Sequence, residues 1–191
     1  MIVAVYCSAN DCISERYKQL GDCVGKWLAN NGFSMLYGGA TGGLMTRVSD
    51  AYRHALDILP YPTTEQRLIG VVPQRIIDNG RLATNCDELH TVPTMSTRKQ
   101  MMRDIADVFV CLPGSYGTLD EMYDVIASGT VGEHHKPIYI LNYEGFYDYL
   151  REEAALMKRH NFLPKEEKYI PNFINTLEEL FDILQSKNQT L

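Results

Sequence analysis

Short runs of β-branched and aromatic residues alternate along the chain with stretches whose apolar residues recur every three or four positions. Ile2 to Tyr6 reads as a first strand, and Ser14 stands at the start of a helix with Tyr17, Leu20, Val24, Trp27 and Leu28 on one face. Phe33 to Tyr37 reads as the second strand, followed by a helix whose buried face carries Leu44, Val48, Ala51 and Ala55. Leu68 to Val72, closed by Pro73, is a third strand, and the two prolines between Asp57 and Arg67 predict a loop before it. A short strand near Leu89 to Val92 precedes a helix from about Met95 to Ala106. Val108 to Leu112 is apolar throughout, as a strand covered on both faces should be, and a further helix follows it. Ile138 to Leu141 is the last predicted strand, with helices around Tyr147 to Arg159 and Leu177 to Leu184. Strands alternating with helices predict βαβ units: an α/β fold with a mostly parallel sheet flanked by helices on both faces.

Length and charge narrow this picture. At 191 residues the chain fits one α/β domain spanning residues 1–191. Eighteen Lys and Arg against 24 Asp and Glu leave a net charge of −6, which disfavours DNA or RNA polymers as partners. Anionic small molecules are still allowed, because they need positive potential only locally. No apolar run reaches the roughly 18 residues that span a bilayer, so no membrane partner is expected. The apolar start lacks a basic region and reads as a strand, not a signal peptide. Five cysteines without a C-x-x-C pair suggest reduced thiols and a cytoplasmic location. His134 and His135 are adjacent and point apart on any regular element, and no metal site is expected.

Two glycine-rich turns fall at predicted strand ends, where parallel sheets hold ligands. Gly38-Gly39-Ala40-Thr41-Gly42-Gly43 follows the second strand, and Pro113-Gly114-Ser115-Tyr116-Gly117 follows the strand ending at Leu112. Each opens a helix, so backbone N–H groups and the helix dipole could meet a phosphate. Gly38 and Gly43 have P-loop spacing, yet Leu44-Met45 occupies the place of Lys-Ser/Thr, which argues against nucleoside triphosphate hydrolysis. Ser8-Ala9-Asn10-Asp11 after the first strand contains no glycine, so the dinucleotide fingerprint is missing from its usual place. Tight βα turns alone would also explain either glycine cluster; two at equivalent strand ends favour a ligand.

Two charged residues stand out. At 100° per residue, Arg98 falls in the middle of the apolar face of its helix, with Lys99 at the border. A core-facing guanidinium needs an ion-pair partner, a snorkelling path or an anionic ligand. Thr118-Leu119-Asp120-Glu121 has capping-box spacing, in which Glu121 would only bond the Thr118 backbone. The other reading sets Glu121 at the edge of a pocket floored by the second glycine turn, with Asp124 beside it at i+3.

Ser96-Thr97-Arg98-Lys99-Gln100-Met101-Met102, followed by Pro113-Gly114-Ser115-Tyr116-Gly117-Thr118-Leu119-Asp120-Glu121, resembles the R-K-x-x-M and P-G-G-x-G-T-x-x-E pair of the Lonely Guy family. These are cytokinin riboside 5′-monophosphate phosphoribohydrolases, some of which carry a lysine decarboxylase label. Tyr37-Gly38-Gly39 through Gly43-Leu44-Met45, Gly70-Val71-Val72-Pro73 and His134-His135-Lys136-Pro137 fit as well. The resemblance implies a modified Rossmann fold, a homodimer, and no cofactor. It also implies hydrolysis of the N-glycosidic bond of a purine nucleoside 5′-monophosphate, AMP-like or N6-modified, to free base and ribose 5-phosphate. Arg98 and Glu121 match the family's catalytic pair. Gly114, Gly117 and Thr118 match its phosphate turn, and Gly38, Gly39 and Gly43 its other glycine segment; Lys99, Ser115 and Asp124 join the substrate-binding set. Ser115 replaces a glycine of the motif, and Ala127-Ser128-Gly129-Thr130 replaces T-W-x-Q, a change that bears on base preference. Nothing suggests a pyridoxal phosphate lysine. The competing expectation is a non-catalytic carrier or sensor of a nucleotide or pterin phosphate on the same fold.

Overall fold

The computed structural model describes residues 1–60, 65–163 and 169–188. Seven parallel strands form one sheet: β1 Ile2–Tyr6, β2 Ser34–Tyr37, β3 Leu68–Pro73, β4 Glu88–Val92, β5 Val108–Cys111, β6 Ile138–Leu141 and β7 Asn172–Ile174. Their order is β4-β3-β2-β1-β5-β6-β7, so the winding reverses between β1 and β5. Val3 pairs with Met35 on one side and with Val108 on the other.

Between the strands run α1 Glu15–Asn30, α2 Gly43–Asp57, α3 Gln74–Asp78, α4 Met95–Ile105, α5 Tyr116–Thr130 and α6 Asp148–Arg159, and α7 Leu177–Asn188 follows β7. The period-2 alternation of the strands divides the core in two. Val3, Val5, Met35 and Tyr37 pack with Leu28 of α1, Val48 of α2 and Leu184 of α7. Ala4, Tyr6, Leu36 and Phe109 pack with Met102 of α4 and Val125 of α5 on the opposite face. The predicted α/β architecture, with helices on both faces, is therefore what forms. Among the described residues, no helix is long and apolar enough to cross a membrane.

Two elements differ from the sequence expectation. The helix α3 has five residues, too few for its periodicity to register, and β7 has three, at the sheet edge with Asn172 exposed. Ser14 holds the N-cap position of α1 but its side chain makes no cap bond. The loop expected between Asp57 and Arg67 lies partly outside the described residues, at 61–64.

Candidate active site

The winding reverses between β1 and β5, and a cleft of about 160 Å³ opens there at the carboxyl ends of the strands. Its lining brings Gly38, Arg98, Ser115, Gly117, Thr118 and Glu121 together with Cys7 and Arg81. Five different loops and helices supply these residues, as expected at a topological switch point.

Arg98 is 7% and Glu121 5% exposed, and their Nη1 and Oε1 atoms lie 2.6 Å apart. Both helices are placed by apolar neighbours: Met102 of α4 and Met122 and Val125 of α5 sit in the core below. Thr94 fixes the start of α4 by accepting a hydrogen bond from the Thr97 amide at 3.1 Å. Arg98 Nε donates to the Val71 carbonyl at 2.9 Å, which ties the guanidinium to β3. Gly38 leaves it room, since a Cβ there would collide with Nη2. The core-facing arginine predicted by periodicity is thus real, and its partner is Glu121.

The capping-box reading of Thr118 and Glu121 is overturned. Helix α5 begins at Tyr116 with Ser115 as N-cap, so Thr118 and Glu121 lie inside the helix and the Glu121 carboxylate meets Arg98 instead. Burial pushes the Glu121 carboxyl above the ordinary carboxylate range, and the Arg98 charge opposes that rise. Oε1 is the Glu121 oxygen nearest the guanidinium. Cys7 is also driven up, by burial first and then by Glu121, so it stands in the cleft as a neutral thiol.

The two glycine turns have different states. No side chain caps the start of α5, Ser115 and Gly117 are exposed, and a Cβ on Gly117 would meet only open space. Its first-turn N–H groups are available to an anion. Gly114 leaves room for the buried Thr118 side chain and faces an adjoining cleft with Ser8, Tyr17 and Phe146. The start of α2 is closed by comparison: the Gly42 amide donates to Thr46 Oγ1 at 2.6 Å and the Gly43 amide to Asp11 Oδ1 at 2.7 Å. Of the glycines of the first segment only Gly38 lines the cleft with Arg98 and Glu121; Gly39, at φ 62°, lies against the backbone of Gly70 and Val71.

Lys99 and Asp124 stand outside the cleft. Lys99 Nζ is 2.7 Å from Asp120 Oδ1 and 3.6 Å from Asp124 Oδ1, and Asp124 also pairs with Arg103. One position after Arg98 on a helix is about 100° away, enough to turn Lys99 from the cleft to the α4–α5 seam. Sequence reasoning missed Arg81, an isolated cation in a polar loop with no periodic signal around it. Among the described residues, no group of three or more His, Cys, Asp and Glu side chains is placed to hold a metal ion.

Comparison with known proteins bears on this geometry. The family described as "Possible lysine decarboxylase" matches residues 60–184. Cytokinin riboside 5′-monophosphate phosphoribohydrolase LOG of Oryza sativa subsp. japonica is 31% identical over 178 residues, covering 93% of this chain and 70% of its own length. Cytokinin riboside 5′-monophosphate phosphoribohydrolase LOG5 of Arabidopsis thaliana is 32% identical over 168 residues, 88% of this chain and 70% of its own. Among solved structures, the molybdenum cofactor carrier protein of Chlamydomonas reinhardtii has a TM-score of 0.69 at 15% identity, covering 98% of each chain. The molybdenum cofactor binding protein of Rippkaea orientalis has a TM-score of 0.68 at 18% identity, covering 98% of this chain and 96% of its own. These two likenesses establish the shared fold.

Proposed function

The chain belongs to the Lonely Guy family, whose members include cytokinin riboside 5′-monophosphate phosphoribohydrolases, and on that premise we propose that it hydrolyses the N-glycosidic bond of a purine nucleoside 5′-monophosphate. The products are the free base and ribose 5-phosphate. The observation that carries this reading is the buried Arg98–Glu121 ion pair on the wall of an open cleft, beside a helix start that no side chain caps.

Each part has a physical task. The N–H groups at the start of α5 receive the 5′-phosphate. As the C1′–N bond breaks, its electron pair leaves with the base and positive charge builds on the ribose, which the Glu121 carboxylate stabilises. Water then adds to C1′ and gives its proton to Glu121, which passes it to the nitrogen of the departing base, so that the free base forms and the carboxylate is restored. Arg98 is too basic to donate a proton; it keeps Glu121 ionised against the cost of burial and orients it. The reading expects a homodimer, and the exposed Tyr116 and Tyr123, seven residues apart on α5, supply uncovered apolar surface for one.

The test is to incubate the protein with AMP, N6-modified AMP and other nucleoside monophosphates, and to quantify base and ribose 5-phosphate. Stoichiometric release of both from a purine member supports hydrolysis. Tight binding with no release from any member refutes it in favour of the carrier reading, which the fold shared with molybdenum cofactor carriers makes the specific alternative.

A further inference from the structure

Within the cleft, the Arg98 and Glu121 charges cancel each other, and Cys7 is neutral. Arg81 is then the remaining charged side chain of the lining. No carboxylate lies within ion-pairing distance of it among the described residues; its bonds go to neutral carbonyls. Nε and Nη2 donate to Thr41 O at 3.1 and 2.6 Å, and Nη2 donates also to Ala9 O at 2.9 Å. Nη1 makes no bond among the described residues. The surrounding chain is built to hold the guanidinium in place. The Thr41 amide donates to the Arg81 carbonyl at 2.8 Å, and Ala40 bridges to Leu82. Gly42, at φ 124°, takes a conformation that an L side chain rarely adopts, and a Cβ there would strike Arg81 Nη2.

Carbonyl oxygens fix a guanidinium's orientation without cancelling its charge. The cleft of an acidic protein thus keeps one net positive charge, held by the loops that end β1 and β2, while the open start of α5 follows β5. A phosphate is attracted by both of these features, which flank the end of β1.

We propose that Arg81 is the residue that selects the phosphorylated substrate, contacting the phosphomonoester through Nη1 while the start of α5 supplies N–H donors. The inference rests on the proposed chemistry only for the identity of the ligand, and its test requires no turnover. Binding of ribose 5-phosphate, AMP and adenosine is measured by calorimetry for the wild type, Arg81→Gln and Arg81→Lys. The expected result for Arg81→Gln is a loss of roughly tenfold or more in affinity for both phosphate ligands, with adenosine changed less than about twofold. Arg81→Lys should recover part of the loss, because the charge returns without the forked geometry. Equal weakening of adenosine and AMP would assign Arg81 a purely structural brace role and overturn the proposal; so would unchanged affinities. If Arg81→Gln does not fold, nitrogen-labelled arginine in the wild-type protein decides the matter. The Arg81 side-chain resonance should shift on titration with ribose 5-phosphate and saturate with the calorimetric Kd. A resonance that does not move, or a wild type that binds no phosphate ligand, overturns it. A protein that binds ribose 5-phosphate through Arg81 yet cleaves no nucleotide would refute the hydrolase reading alone.

Discussion

Gly117→Ala separates a phosphate site from an ordinary βα turn, because the two readings predict different pairs of signs. Gly117 is the second residue of α5, and its added Cβ would meet nothing within 4 Å. The folded protein therefore accepts the methyl group without strain. Alanine lowers the entropy of the unfolded chain and favours helix, which should stabilise by about 0.5 kcal/mol so near the helix end. For a chain of this length that corresponds to a rise of roughly 1–2 °C in Tm. Gly117 is also among the residues that line the cleft. A phosphate oxygen bonded to the α5 amides lies about 2.8 Å from nitrogen, whereas a methyl carbon keeps its neighbours near 3.5 Å. The methyl group thus displaces the anion and costs one or two charge-assisted hydrogen bonds, roughly 10- to 100-fold in affinity. Thermal unfolding and calorimetric titration with ribose 5-phosphate read the two effects on one sample. A higher Tm with unchanged affinity would refute phosphate binding at this turn and leave Gly117 a turn residue.

Glu121→Gln, nearly isosteric, should lower kcat by about 10²- to 10⁴-fold while ribose 5-phosphate affinity stays within about twofold; unchanged turnover would remove Glu121 from the chemistry. The acidic limb of the kcat/KM profile should lie above the ordinary glutamate value of about 4.3, because burial raises the Glu121 carboxyl, and it should vanish in Glu121→Gln. The same shift has a stability consequence. A carboxyl raised on folding contributes stability that is fully present below its unfolded pKa and is lost as pH rises through the folded one. Wild-type stability relative to Glu121→Gln should accordingly fall from about pH 4 upwards, measured by denaturant titration across that range. Gly38→Ala should push the Arg98 guanidinium off Glu121, destabilising by about 1–3 kcal/mol and reducing turnover; wild-type activity and Tm in that variant would show that Arg98 adapts freely.

Much of the architecture is legible from apolar spacing, since β1 through β6 and α1, α2, α4, α5, α6 and α7 are long or regular enough to imprint a period. Arg98 was legible for the same reason: one cation in an apolar stripe has to be resolved by a partner or a ligand. Helix α3 and β7 are too short to carry such a signal, and their places come from neighbours already folded. Glu121 is the instructive case. Its tetrapeptide fits a capping box, and local spacing cannot tell that α5 starts two residues before Thr118.

Residue order alone carries the alternation of elements, the local positions of two glycine turns, and an arginine on an apolar face. Which of these share a site was decided by tertiary structure. Strand order brings the ends of β1, β2 and β5 together although residues 7, 38 and 117 are far apart in the chain. Asp11, carried by the loop after β1, occupies the Gly43 amide at α2, whereas the start of α5 is left open. A helix turn of about 100° sends Lys99 to Asp120 and Asp124 and leaves Arg98 with Glu121. Periodicity is a property of neighbours along the chain, while charge pairing and amide availability depend on contacts across it. The first can be read from order alone, and the second cannot.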